Sequence, residues 1–410
     1  MEKNIFGLDS EQLRDIALSL KAKIEKGLCE DNSEVQCIPT FITPKTDGIK
    51  GKAVVLDLGG TNYRVAKVDF SGKEPVIHPN NGWKIDLSIM KQQGFTEDDL
   101  LQNMTDPICE LNIEENLPIG YCFSYPAEAL PKGDANLLRW TKGVSINEMV
   151  GKPVGQPLVD YLNNKHNKKF TGIKVINDTV ASLFAGLADS GYDAYIGLIV
   201  GTGTNMASFV RADKIKKLDW KMLKKENPNI TPDSLIPINL ESGNFNPPHL
   251  TNIDNIVDAL SDNKGFQRFE KAVSGMYLGE VLKSVFPCDL FEDKFDAQKL
   301  TSIINYPDIY KDKYVDMALN IYVRSAELVA ASIAGLILVL ISHNPDIKNI
   351  KLTAEGSLFW SELHEWDNYA EIVSYTLDLI LEELDYEDIT VSIEPIENAN
   401  LIGTAVAALS

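Results

Sequence analysis

Two short patterns constrain this chain more than anything else in it. Residues 53–58 form an apolar run, Gly59-Gly60-Thr61-Asn62 breaks it, and residues 63–70 resume with alternation, Tyr63 and Val65 on one face and Arg64, Ala66 and Val68 on the other. Residues 194–200 form a second apolar run, broken by Gly201-Thr202-Gly203-Thr204-Asn205 and resumed over 206–210. An apolar run ended by glycines and followed by another β-like run reads as a buried strand, a tight turn and a second strand. Both turns carry Gly-Thr-Asn, at 60–62 and 203–205, in the same setting. The repeat predicts an internal duplication, with two related lobes facing each other.

The remaining segments fit an α/β protein. Residues 9–28 have helical spacing (Leu13, Ile16, Ala17, Leu20, Ile24) after a cap at Asp9 or Ser10. Residues 266–286, 314–342 and 366–384 read as helices, 350–352 and 389–393 as strands, and 38–51 as a surface crossing. The most apolar stretch, 328–341, falls short of the ~20 residues needed to span a bilayer and reads as a buried core helix. At 410 residues the chain has room for about two or three domains. Its 39 Lys and Arg against 59 Asp and Glu leave a net charge of −20, which argues against nucleic acid or an anionic membrane as a partner. The five cysteines (Cys29, Cys37, Cys109, Cys122, Cys288) form no CxxC pair, and the segment after Met1 has no signal-type apolar core. No structural metal site and a cytoplasmic location with reduced thiols are therefore expected.

A glycine turn after a buried strand leaves backbone N–H groups uncovered, a concavity suited to phosphate oxygens. Neither GxxxxGK[ST] nor GxGxxG occurs, and both turns lead into strands where those motifs open helices. Each turn taken alone reads equally as an ordinary tight hairpin. Asp57 stands directly before the first turn; a carboxylate beside a phosphate cradle makes sense with Mg²⁺ between them, held through water. Residues 172–179 read as a strand running into a helix with Val180, Leu183, Phe184 and Leu187 on one face. Asp178 at that junction reads either as the helix cap or as a general base at a strand end. By local reading Lys142, Glu241 and Glu270 are surface charges, and Glu355-Gly356-Ser357 is a turn after a strand.

In order, these segments resemble the hexokinase family of the actin-like sugar-kinase superfamily. Residues 56–65 are similar to its first phosphate motif, 119–126 with 138–143 to its sugar-binding signature, and 177–181 to its catalytic-aspartate motif. Residues 196–205 are similar to its second phosphate motif, 269–280 to a further family stretch, and 355–357 to its adenosine motif. After Glu241 the chain reads Ser242-Gly243-Asn244-Phe245, where the family usually has Trp-Gly-Ala-Phe.

The resemblance implies two ribonuclease H-like lobes flanking a deep cleft. One lobe would comprise residues 50–177 with a C-terminal helix at about 401–410, the other residues 1–49 and 178–400. It implies transfer of the ATP γ-phosphoryl group to the 6-hydroxyl of a hexose, glucose first, in glycolysis, with Mg²⁺ accompanying ATP. Asp178 would be the base, with Lys142 and Arg64 offsetting charge on the transferred group. Ser124, Thr141, Lys142, Asn177, Asp178, Asn205, Glu241 and Glu270 would contact the sugar. Gly59, Gly60, Thr61, Asn62, Gly201, Thr202, Gly203 and Thr204 would hold phosphates, Gly356 and Ser357 the adenosine, and Asp57 the metal through water. Sugar binding would swing residues 50–177 against the other lobe, because water competes as nucleophile. Other readings are a kinase of fructose, mannose or N-acetylhexosamine, a weakly catalytic sugar sensor, and an actin-like filament or chaperone ATPase.

Overall fold

The computed structural model describes residues 5–410 apart from 46–47, 61, 112, 114–115, 290 and 292–294. The first sheet contains β1 (Lys52–Leu58), β2 (Asn62–Asp69), β3 (Val76–Asp86), β4 (Ile119–Phe123) and β5 (Ile173–Ile176), in the order β3-β2-β1-β4-β5. β1, β2 and β3 are antiparallel neighbours, and β4 and β5 extend the sheet in parallel. The second sheet contains β6 (Ala194–Val200), β7 (Thr204–Arg211), β8 (Leu235–Asn239), β9 (Asn349–Glu355) and β10 (Thr390–Glu394), in the order β8-β7-β6-β9-β10. Its directions repeat those of the first sheet strand for strand. The duplication read from two glycine turns therefore extends to the whole framework.

Two helices join the halves. Helix α1 (Asp178–Gly186) follows β5 and packs on β6, β7 and β9 of the second sheet; α2 (Ala399–Leu409) follows β10 and packs on β1 and β4 of the first. Each closing helix thus covers the sheet that it does not follow. The two cross at Gly403, where a Cβ would lie 1.8 Å from the Ala181 carbonyl oxygen, so the crossing requires glycine. They share an apolar core between the sheets with Val55, Ala66, Leu183, Phe184 and Val406. A second core lies under the first sheet, and the largest surrounds the helix Asp312–His343.

Three sequence expectations change on the structure. The helix expected over 266–286 is two helices, Arg268–Val273 and Gly275–Val285, broken at Ser274 with ψ 154°. There the Gly275 and Met276 N–H groups donate to the Gly201 and Thr202 carbonyls, at 2.7 and 3.3 Å, instead of continuing a helix. The expected crossing over 38–51 includes a short strand, Ile38–Pro39, on the outer edge of β8, where a missing N–H is tolerated. The apolar stretch 328–341 belongs to a helix of 32 residues, long and apolar enough to cross a membrane, whose most apolar window is 89% buried inside the protein. It serves here as the core helix.

Candidate active site

Asp57 lies near the end of β1, directly opposite Arg64 in the β1–β2 register. The Arg64 Nε and Nη2 donate to the same Asp57 carboxylate oxygen, at 2.9 and 2.6 Å. Arg64, which the resemblance assigns to offsetting charge on the transferred group, is thus held by Asp57, with its Nη1 3.4 Å from the Asn398 side-chain oxygen. At the end of β5, Asn177 caps α1: its Oδ1 accepts the Thr179 N–H at 2.9 Å. Asp178 therefore occupies the first helical position, and the cap role considered for it belongs to its neighbour. A carboxylate there is favoured by the helix dipole, and its Oδ1 accepts the same N–H at 2.8 Å.

Glu355 ends β9. Burial, together with the negative charge of Asp57 and Asp178, pushes its carboxyl up to about 7. Burial likewise raises the thiol of Cys122, which pairs with Asp57 across β1 and β4 and lies in the field of all three carboxylates. The sequence put Glu355 in a turn that opens the adenosine motif and assigned it no role; its position at a strand end, like that of Asp57, was the available signal. Three acids against the Arg64 guanidinium leave excess negative charge and oxygen donors of the kind Mg²⁺ prefers. Among the described residues no three His, Cys, Asp or Glu side chains close into a metal cage.

The residues that the resemblance assigns to the sugar form two groups. Lys142 donates to the Ser124 carbonyl at 2.8 Å, beside the half-buried Thr141, and its ammonium lies 5.2 Å from the Tyr125 ring centroid. The Tyr125 hydroxyl reaches the Gly59 and Gly60 carbonyls at 2.9 and 3.3 Å, tying this loop to the first glycine turn. In the other lobe the Asn205 amide donates to Asn239 at 2.7 Å, and Asn239 donates to Glu241 at 2.8 Å. Glu270 accepts the Thr204 N–H at 3.0 Å. Burial raises the carboxyls of Glu241 and Glu270, opposed respectively by the Asn239 and Thr204 hydrogen bonds. Lys142 and Glu241 both have left-handed backbones, φ +57° and +54°, a conformation costing roughly 1 kcal/mol that is found at functional positions. Tyr125 falls within the sugar-signature segment 119–126 but was assigned no role there, and neither was Asn239, since their roles depend on partners brought in by other strands.

The two glycine turns diverge in their surroundings. The first is closed by the Gly59 N–H donating to the Asn62 carbonyl at 2.9 Å; Thr61 lies outside the described residues. The second is closed by the Gly201 N–H on the Gly203 carbonyl, also at 2.9 Å. Gly356 backs the second turn with φ +118°, and a Cβ there would stand 2.1 Å from the Val200 carbonyl oxygen. A cavity of about 660 Å³ opens on this side, lined by Gly201, Thr202 and Ser357 together with Met276, Gln298 and Thr301. The structure does not bring Gly59, Gly60 or Asn62 to this cavity wall.

Profiles described as hexokinase match residues 2–187, 195–315 and 311–410. The chain belongs to the hexokinase family. A hexokinase of Kluyveromyces lactis is 29% identical over 450 aligned positions, covering 99% of this chain and 90% of the relative. Hexokinase-9 of Oryza sativa subsp. japonica is 28% identical over 456 positions, covering 98% and 87%. The solved hexokinase from Schistosoma mansoni complexed with glucose shares the fold, with a TM-score of 0.77 at 24% identity over 99% of this chain and 96% of that one. This hexokinase-family chain is an ATP-dependent hexose kinase, a phosphotransferase with ATP as co-substrate.

Proposed function

We propose that this kinase phosphorylates the 6-hydroxyl of glucose, with Asp178 as general base and Mg²⁺ accompanying ATP, and supplies hexose 6-phosphate to glycolysis in a reducing cytoplasm. The observation that carries the reading is electrostatic. Burial raises the carboxyls of both the sugar-side Glu241 and the phosphate-side Glu355, and the Asp178 charge adds to each. That shared influence supports Asp178 as the group between an acceptor hydroxyl and a transferable phosphoryl group.

A sugar hydroxyl is a weak nucleophile near neutral pH, so a carboxylate that takes its proton as the P–O bond forms lowers the barrier. Glu241, Glu270, Asn177 and Asn205 supply the acceptors and amides that pair neighbouring hydroxyls. A sugar lacking one of those hydroxyls would leave a buried group unpaired. Lys142 and Arg64 place cations where negative charge gathers on the transferred group. Asp57, with Glu355 near it, would hold the metal, which supplies charge neutralisation at the phosphates.

Three measurements test this. ADP release with glucose, fructose, mannose and N-acetylglucosamine ranks the acceptors; release no faster with glucose than without sugar refutes the reading. Asp178→Ala should lose turnover by roughly 10²–10⁴-fold and keep a glucose-induced rise in Tm. Small-angle scattering should show a smaller radius with glucose as the lobes close.

A further inference from the structure

A second cavity of about 660 Å³ opens between the helices Ser10–Cys29, Asp312–His343 and Tyr369–Glu383. None of the sequence motifs reaches it. Its size suits a small organic ligand. Leu319, Val323 and Ile372 supply apolar wall, and Trp366 and Tyr375 are 54% and 67% exposed on the lining, unusual for large aromatics. Glu327 lies in the same wall, half-buried, with no hydrogen bond or ion pair among the described residues.

The charges around this cavity are one-sided. Arg324, the one basic residue of the lining, is 2% exposed and spends its charge on Asp254, with Nη1 and Nη2 2.8 and 3.0 Å from the two carboxylate oxygens. Asp367 and Glu383 also line the cavity without an ion-pair partner among the described residues. Burial pushes the Glu327 carboxyl up to about 7, only partly offset by the charge of Arg324, which is paired to Asp254. A positive group here would gain a charge-assisted contact with Glu327, and the exposed rings would cover its apolar part and attract its charge.

We propose that this cavity is an effector site for a small amphipathic organic cation, such as an arylalkylamine. Its ammonium would meet Glu327 and its apolar body Trp366 and Tyr375. One segment links it to the nucleotide side: Ser357 and Ser361 line the first cavity, and Trp366, Asp367 and Glu371 line the second. Tyr322 of the core helix fixes that segment through the Ser361 hydroxyl at 2.8 Å. A ligand that orders Trp366 is therefore coupled to the nucleotide, and by reciprocity the nucleotide to the ligand.

The test uses the full chain and phenethylamine as probe, with neutral 2-phenylethanol as its control. Phenethylamine should raise Tm saturably, quench Trp fluorescence and change the apparent KM for ATP; the alcohol should do none of these. Glu327→Gln should weaken the amine response at least about tenfold, the scale of one lost charge-assisted contact, while leaving basal turnover and the glucose-induced Tm rise unchanged. Trp366→Ala should weaken it independently and remove the quenching. Equal responses to amine and alcohol, or an amine response unchanged in both variants, overturns the site. Saturable amine binding with no change in the KM for ATP overturns its role as an effector site.

Discussion

The first and second glycine turns sit at corresponding positions of two sheets with one strand order, yet their neighbours differ in kind. Around Gly59-Gly60 the contacts are side chains: Tyr125 on the carbonyls, the Lys142 stem over Gly60, and the Asp57–Arg64 pair behind. Around Gly201-Thr202-Gly203 they are mostly backbone: the Gly275 N–H on the Gly201 carbonyl and Gly356 pressed against Val200, with the Glu270 carboxylate on the Thr204 N–H as the side-chain exception. Side-chain contacts adjust by rotamer changes, whereas backbone contacts in a close-packed interior do not. On this difference the second turn is expected to tolerate a substitution against its backbone less well than the first.

The largest effect that sharpens this contrast is catalytic. Asp178 belongs to neither turn, so Asp178→Ala should cost the full roughly 10²–10⁴-fold in kcat while both turns persist, checked by ATP-induced stabilisation. Next comes a paired substitution. Gly356→Ala puts a Cβ 2.1 Å from a carbonyl oxygen at φ +118° and should destabilise by about 3 kcal/mol. Gly60→Ala meets only the Lys142 Cδ, at 3.2 Å, and should cost under ~1 kcal/mol. Chemical denaturation of both variants measures the difference, and equal losses would break the comparison.

Asn239→Ala removes the middle of the Asn205–Asn239–Glu241 chain. It should raise the KM for hexose about tenfold with a smaller change in kcat, read from steady-state kinetics. The smallest expected effect concerns pH. Burial raises the Glu270 carboxyl above its ordinary 4.5, so the folded state holds a proton that the unfolded chain releases. That contribution to stability is complete below pH 4.5 and is lost as pH rises through the raised value. Glu270→Gln keeps an acceptor for the Thr204 N–H, and its Tm advantage over the native chain should grow as pH rises across that window. A difference independent of pH would remove Glu270 from the account.

Much of the framework was legible because its signals are local. An apolar run, glycines and a second run specify a hairpin within about twenty residues, and the Asn177–Asp178 junction is visible where strand pattern gives way to helical spacing. Val76–Asp86 was not legible: Pro79, Asn80, Asn81 and Gly82 interrupt its alternation, and it is a strand because β2 offers a free edge. The break at Ser274 was equally hidden, since it arises from carbonyls some seventy residues earlier in the chain.

By itself the sequence determined the duplicated hairpins, the strand-to-helix position of Asp178 and the order of the family segments, because each depends on neighbours along the chain. Only the tertiary structure decided that α1 and α2 exchange sheets, that Arg64 is held by Asp57, that Glu355 joins the acids of the cleft, and that Asn239 links Asn205 to Glu241. Most of those relations join residues tens to hundreds of positions apart, and even Asp57 and Arg64, seven apart, meet only through the strand register. They exist because close packing and the pairing of buried polar groups select one arrangement, and no local pattern encodes that choice.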